Sequence, residues 1–310
     1  MKKISLGIIT YMRPIGLEKI LRSFKSQSLE NIDLSIIVAD NDATGENQKV
    51  IDKLKEEGYP FKLELFVEKT RGIVAARNRA VSEFLKTDSE SMIFADDDEW
   101  PVNDNWIEKL LEVERDYDAD IVYSDVNIIP ETESINWVKT AYRSNSNGES
   151  IRPTKNFFTG NLFVRRHVYE DLNPPFDSRF AMTGSSDLHF CLKANNKNYK
   201  AYYTPYAAVE EIFPKSRATL KWFFLRGYRT GEGSTRANIY ESTSLFSLSK
   251  YIIYKLLGRF VRAIQMFFMA LFTFDKGYIA KGFNYLGATV GTVTGLFGLK
   301  YNEYNKIHGK

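Results

Sequence analysis

Through its first 130 residues the chain repeats one unit: a short apolar run, a polar turn, then a stretch whose apolar residues recur at helical spacing. The runs lie at 4–10, 34–39, 62–67, 91–95 and 121–124. Between them, Pro14 can open a helix with Leu17, Ile20, Leu21 and Phe24 on one face. Further helical stretches fall at 47–57, 72–85 and 106–117. Strands separated by helices must cross over rather than turn back, so the spacing predicts an α/β fold: a mostly parallel sheet with helices on both faces. Ligands of such sheets collect at the carboxyl ends of the strands. Thr10 to Arg13, Asp40 and Asp96 to Asp98 stand at those ends.

The opening Met1-Lys2-Lys3 and its apolar run resemble the start of a signal peptide. The run is short, however, and leads into Tyr11-Met12-Arg13-Pro14, so a first strand is expected. Beyond the repeating region, 131–156 reads as one long polar loop, 157–165 as a strand, 188–195 as a short helix, and 199–209 as containing a last strand. The single cysteine excludes an intramolecular disulfide and argues against a Cys-based metal site; Cys191 reads as a core residue. Charge is divided. Residues 1–211 carry 27 Lys/Arg against 35 Asp/Glu, while 212–310 carry 15 against 4 and also hold 20 of the 44 aromatic residues. An acidic front and a basic, aromatic rear suggest two tasks.

The run 91–95 ends in Asp96-Asp97-Asp98. In extended backbone Asp96 and Asp98 point to the same side, where both can approach one hard cation. The plainer reading is a solvated turn or a helix cap. Six segments in order resemble family 2 glycosyltransferases of the GT-A fold: 9–14 (ITYMRP), 38–42 (VADND), 68–78 (EKTRGIVAARN), 94–101 (FADDDEWP), 157–166 (FFTGNLFVRR) and 184–193 (GSSDLHFCLK). The resemblance spans roughly 4–230 and implies a nucleotide-sugar pocket formed by Thr10, Tyr11, Arg13, Asp40, Arg71, Arg77, Asp96 and Asp97. It further implies that Asp40 faces the base, and that Asp98, with Asp96, holds a divalent metal, Mn2+ or Mg2+, bridging the diphosphate of a UDP-sugar or similar donor. A cation and arginines would neutralise the leaving group.

Inverting transfer needs a carboxylate to take the proton of the acceptor hydroxyl. Where many relatives have Gly-Gly-Glu-Asp, this chain has Gly184-Ser185-Ser186-Asp187, which makes Asp187 the candidate base and leaves Ser186 in place of the first acid. An N-cap is the structural alternative for Asp187, and His189 reads as an exposed helix residue. Gly160, Asn161, Ser186, Trp222 and Arg226 are acceptor-side candidates. Glu211 stands where relatives carry a metal-binding histidine.

The stretch 245–274 reads as one long helix or a broken pair, with Lys255, Arg259 and Arg262 forming a narrow cationic stripe. Its uncharged part, 263–274, is short of the ~20 residues a bilayer span needs. Gly287, Gly291 and Gly295 recur at small-xxx-small spacing in 282–299. These features suggest a domain over 1–230 followed by a membrane-interfacial region over 231–310, its cations toward anionic headgroups; internal packing, homo-oligomerisation through these helices and spanning stay open. The mixture with long apolar runs speaks against nucleic acid. The expectation is an inverting glycosyltransferase at the cytoplasmic face of the cell membrane, acting on a glycan or lipid-linked acceptor in polysaccharide synthesis. The alternatives are a sugar nucleotidyltransferase and a non-catalytic membrane-attached scaffold.

Overall fold

Residues 1–142 and 150–299 are described by a computed structural model, in which the apolar runs form one mixed sheet. The repeating front gives β1 (Lys2–Thr10), α1 (Pro14–Ser23), β2 (Ile32–Asp40), α2 (Glu46–Glu56), β3 (Lys62–Val67), α3 (Ile73–Phe84) and β4 (Ser91–Asp96). Then follow β5 (Glu99–Pro101), α4 (Trp106–Asp116), β6 (Ile121–Pro130), α5 (Val138–Tyr142), β7 (Arg152–Pro153), β8 (Leu162–Arg165), α6 (Arg166–Asp171), α7 (Ser186–Asn196) and β9 (Ala201–Phe213). Three long helices close the described chain: α8 (Leu220–Glu241), α9 (Leu245–Thr273) and α10 (Lys276–Leu296). Strand order is β3-β2-β1-β4-β8-β6-β9-β5, with β7 also on β9.

The first four strands in that order are parallel, as the helical crossovers require. β8 enters from a loop rather than a crossover helix and runs antiparallel to both β4 and β6. Alternation along β1 decides the two faces. Ile4, Leu6 and Ile8 pack with α1, α2 and α4, while Ile9 joins Ala39, Phe94 and the apolar sides of α3, α6 and α7. A Cβ on Gly7 would lie 2.0 Å from the terminal methyl of Met92, which fills the space beside it.

The expected loop 131–156 is more ordered than its polarity suggests, because aromatic residues anchor it; 143–149 lies outside the described residues. Val138 is fully buried, Tyr142 packs edge-on against Phe213 and Phe223, and Thr140 donates to Asp275 at the start of α10.

The expected boundary at 230/231 falls inside α8, a continuous helix. The next break in the chain after that position is at 242–244, between α8 and α9. The glycine spacing has an internal partner. A Cβ on Gly231 would lie 2.1 Å from the Ala288 carbonyl oxygen, one on Gly287 2.0 Å from that of Phe224, and one on Gly291 2.0 Å from that of Tyr228. α8 and α10 thus pack backbone to backbone, which removes the glycine seam as a reason for homo-oligomerisation. Of the cationic stripe, Arg259 turns inward while Arg262 stays exposed. Arg259 donates to Ser234 Oγ at 3.1 Å and to Thr292 Oγ1, and Arg262 leans over the Tyr285 ring of α10. The free side of α9 is apolar instead: Leu257, Phe260, Ile264 and Phe268 are each about half exposed or more. Among the described residues, α9 is the one helix long and apolar enough to cross a membrane, with mean hydropathy 1.4.

These contacts separate two glycines of the same helical region. Gly231→Ala should destabilise the chain by about 1–3 kcal/mol, because backbone cannot yield to the added methyl. Gly258→Ala, which meets nothing within 4 Å in α9, should be neutral or stabilise by up to about 1 kcal/mol. Thermal unfolding of both variants measures the contrast.

Candidate active site

Parallel register places Thr10 opposite Asp40 and Ile9 opposite Asp96, so the polar ends of β1, β2 and β4 share one edge of the sheet. The strand stops at Asp96. Asp97 and Asp98 form a turn, so the expected extended alternation of Asp96 and Asp98 is not what brings them together. The turn leads into β5, whose antiparallel pairing with β9 puts Glu99 opposite Glu211. Four consecutive acids therefore meet a fifth from a distant strand. Glu99 was not anticipated, although the unbroken run of acids was its signal.

Partial neutralisation comes from the first strand and its following turn. Thr10 Oγ1 donates to Asp97 at 2.7 Å, and Arg13 Nη1 donates to Asp97 at 2.9 Å and to Asp98 at 2.7 Å. Asp97 is buried and occupied by these two partners, which makes it a brace for the turn. The nearest cation to Asp96 is Arg77, with Nη2 4.0 Å from Oδ1, and that buried oxygen has no hydrogen-bond partner. Glu99 accepts from the Asp96 N–H at 3.3 Å, and Glu211 lies 3.3 Å from Arg217.

The remaining charge shows in the protonation equilibria. Burial raises Asp96; Arg77 opposes the shift, while Asp98 and Asp187 add to it. Burial pushes Asp97 up to about 7 against the pull of Arg13. Glu99 is held well above the carboxylate range by burial and by Asp96, Asp98 and Glu211. Glu211 is pushed up to about 7 by burial and Asp98, with Arg217 and Arg226 opposing. Clustered carboxylates raised first by burial and then by one another fit a hard cation with oxygen ligands. Among the described residues, no group of three or more His, Cys, Asp or Glu side chains is arranged to hold a metal ion by protein ligands alone.

Two cavities meet at this cluster. One, of about 420 Å³, is lined by Thr10, Tyr11, Arg13, Asn41, Arg71, Asp98, Arg217 and Trp222 among others. The Arg71 guanidinium lies 5.8 Å from the Tyr11 ring centroid. The second, of about 980 Å³, is lined by Arg77, Tyr123, Asp125, Phe158, Gly160, Ser185 and Asp187 among others. Asp96, Glu99, Glu211, Arg226 and Arg229 border both.

Several expected positions move. Asp40 does not reach the smaller cavity: it is buried, accepting from Asn47 Nδ2 and the Asp42 N–H, and Asn41 takes the place on the wall. Burial raises its carboxyl against those hydrogen bonds. Trp222 lines the smaller cavity, whereas Gly160 lines the larger one and leaves room for Glu99, whose Oε1 would stand 2.6 Å from a Cβ there. Asn161 is fully buried, accepting from Trp106 Nε1 and donating to the carbonyls of Asp125 and Ala207, so it is a core residue rather than an acceptor contact. Ser186 is likewise buried against Arg77 Nη1, and Ser185 faces the cavity in its stead.

Asp187 is not an N-cap. α7 begins at Ser186 with Ser185 as its cap residue, so Asp187 lies in the first turn, where the helix N-terminus favours a negative charge. His189 is buried rather than exposed, 2.8 Å from Glu241 of α8, and burial lowers its pKa. Cys191 is in the core as expected.

The family described as Glycosyl transferase family 2 matches residues 5–173. The succinoglycan biosynthesis protein ExoM of Rhizobium meliloti (strain 1021) is 28% identical over 232 residues, covering 74% of this chain and 73% of the relative. An uncharacterised glycosyltransferase, YwdF of Bacillus subtilis (strain 168), is 29% identical over 216 residues, covering 68% and 74%. The mannosyltransferase PcManGT of Pyrobaculum calidifontis, solved with GDP-Man and Mn2+, superposes with a TM-score of 0.63 at 16% identity over 94% of this chain and 86% of that one. S. aureus TarS 1–349 with UDP gives 0.56 at 13% identity, over 97% and 93%. These superpositions establish a GT-A fold.

Glu211 offers a test of the charge deficit without substrate. Its folded pKa, about 7, exceeds the ordinary 4.5, so its stabilising effect is complete below about pH 4.5 and is lost as pH rises through 7. In the presence of EDTA, Glu211→Gln should therefore raise Tm at pH 7.5, by on the order of 2 kcal/mol of stability, and change it little at pH 4.5. Unfolding curves at the two pH values measure the difference.

Proposed function

Since the chain belongs to glycosyl transferase family 2, we propose that it transfers a sugar with inversion from a nucleotide donor, a UDP-sugar, to a glycan or lipid-linked acceptor in the synthesis of a surface polysaccharide. The observation behind this reading is the meeting of two cavities at one carboxylate cluster, with Asp187 opening only to the larger. The smaller takes the donor. Tyr11 and Arg71 receive the base, and Arg217, Arg226 and Arg229 lie along the path of the diphosphate. The larger takes the acceptor, with the exposed Phe158 ring, edge-on to Tyr123, available to a sugar face.

Asp98 and Asp96 would hold a divalent metal, Mn2+ or Mg2+, a source of positive charge for the leaving nucleoside diphosphate. The unpartnered Asp96 oxygen and the all-carboxylate donor set suit such an ion. Glu211 is placed to enter the shell. Asp187 takes the acceptor hydroxyl proton as that oxygen attacks the anomeric carbon. The electron pair of the breaking C–O bond leaves on the diphosphate, toward the arginines. Arg13 and Asp97 keep the acidic turn in place, and Arg77 donates to Ser186 at the start of α7 with Asp96 4.0 Å away.

The C-terminal helices attach the enzyme to the cytoplasmic surface of the membrane. α9 has one side committed to α10 and the other free and apolar, a geometry for lying in the interface. With Arg259 turned inward, apolar insertion supplies most of the affinity, and the exposed Lys250 and Arg262 are left to meet headgroups.

Nucleotide release from UDP-glucose, UDP-N-acetylglucosamine and GDP-mannose with Mn2+ would identify the donor. Asp98→Asn and Asp187→Asn should each cut turnover at least a hundredfold with unfolding unchanged; full activity in either removes that residue from its role. On neutral phosphatidylcholine vesicles the protein should co-float, and a Leu257→Asp, Phe260→Asp, Ile264→Asp variant should stay in solution.

A further inference from the structure

The segment that aims Asp187 is strained and held from behind. Gly184 and Ser185 both adopt left-handed backbone, with φ of +77° and +68°, a conformation a serine enters only when its surroundings enforce it. Those surroundings belong to α8. Arg236 Nη2 donates to Thr183 Oγ1 at 2.6 Å, and its Nε lies 2.6 Å from Glu232 Oε1 one turn earlier. Gly233 stands directly behind Ser185: a Cβ there would lie 2.0 Å from its Oγ. Next along α7, His189 meets Glu241.

Glu232 is 0% and Arg236 3% exposed. A desolvated ion pair within one helix is a costly way to fill space, and apolar side chains of similar volume would pack at least as well. What they could not do is direct a donor at Thr183. The backbone of Glu232 is itself clasped by α10, where a Cβ on Gly291 would lie 2.9 Å from its nitrogen and one on Gly295 2.9 Å from its oxygen. We infer that Arg236, fixed by Glu232, is a positioning residue for the base: through Thr183 it holds the 183–185 turn and so fixes where Asp187 projects. The C-terminal helices would then brace the chemistry as well as attach the protein. The inference rests on the reading of Asp187 as base.

The test uses the full chain and donor turnover to water with Mn2+, on whichever of UDP-glucose, UDP-N-acetylglucosamine or GDP-mannose the unaltered protein turns over fastest. Thr183→Val, the mild isosteric change, and Arg236→Gln should each lower kcat about tenfold or more. The donor KM and the affinity for the free nucleoside diphosphate should stay within about twofold, and Arg236→Lys should recover part of the loss. Because both changes break one link, the double variant should be no more than about twofold slower than Arg236→Gln alone. Wild-type kcat in Thr183→Val and Arg236→Gln, multiplicative effects in the double variant, or parallel loss of nucleotide affinity would each overturn the inference. Asp187→Asn measured alongside separates the two claims: if it is inactive while the clamp variants run at the wild-type rate, only the clamp fails; if it is fully active, the base reading fails first.

Discussion

Five carboxylates, Asp96 to Glu99 and Glu211, are brought together by the acidic turn and the β5–β9 pairing, with Asp97 and Glu99 buried and the other three partly so. The chain answers only part of that charge. Thr10 and Arg13 satisfy Asp97 and one side of Asp98, Arg77 stands off Asp96 at 4.0 Å, and Arg217 reaches Glu211. Burial first, and then the neighbouring acids, raise the Glu99 and Glu211 carboxyls. A fold selected for stability alone would not concentrate like charges this way. That excess of acid is what the proposed divalent cation would offset.

The rest of the architecture keeps this cluster accessible from two directions. Parallel register aligns the ends of β1, β2 and β4, and helices on both faces hold that edge rigid. The C-terminal helices close the far side of both cavities: Trp222, Arg226 and Arg229 come from α8, and Asn284 of α10 borders the larger one. α8 is therefore part of the site wall and part of the helical assembly at once. Its contact with α10 is close enough that glycine is required on both helices.

Much of this was legible in the sequence. The alternation of apolar runs and helical stretches gave the strands of the front half, with 62–67 recovered to the residue as β3. The acidic triplet and Asp187 were visible because runs of acids and helix openings are local features. What could not be read was orientation. Helical spacing identified the Lys255–Arg259–Arg262 stripe but not that Arg259 turns toward Ser234. Glycine spacing announced a close helix contact without naming α8 as the partner. Asn161 and Ser186 stand beside residues that face the cavity and are themselves buried, a one-residue difference decided by tertiary packing. Glu99 gained its place through a strand pairing with Glu211, far away in sequence.

The central claim is that this cluster binds a nucleoside diphosphate together with a divalent cation. Titration calorimetry of UDP into the metal-depleted protein, with Mn2+ or with EDTA, addresses it most directly. The account predicts binding at least tenfold tighter with Mn2+, and loss of that gain in Asp96→Asn. Equal affinity in EDTA, or a metal effect that survives the substitution, would contradict it.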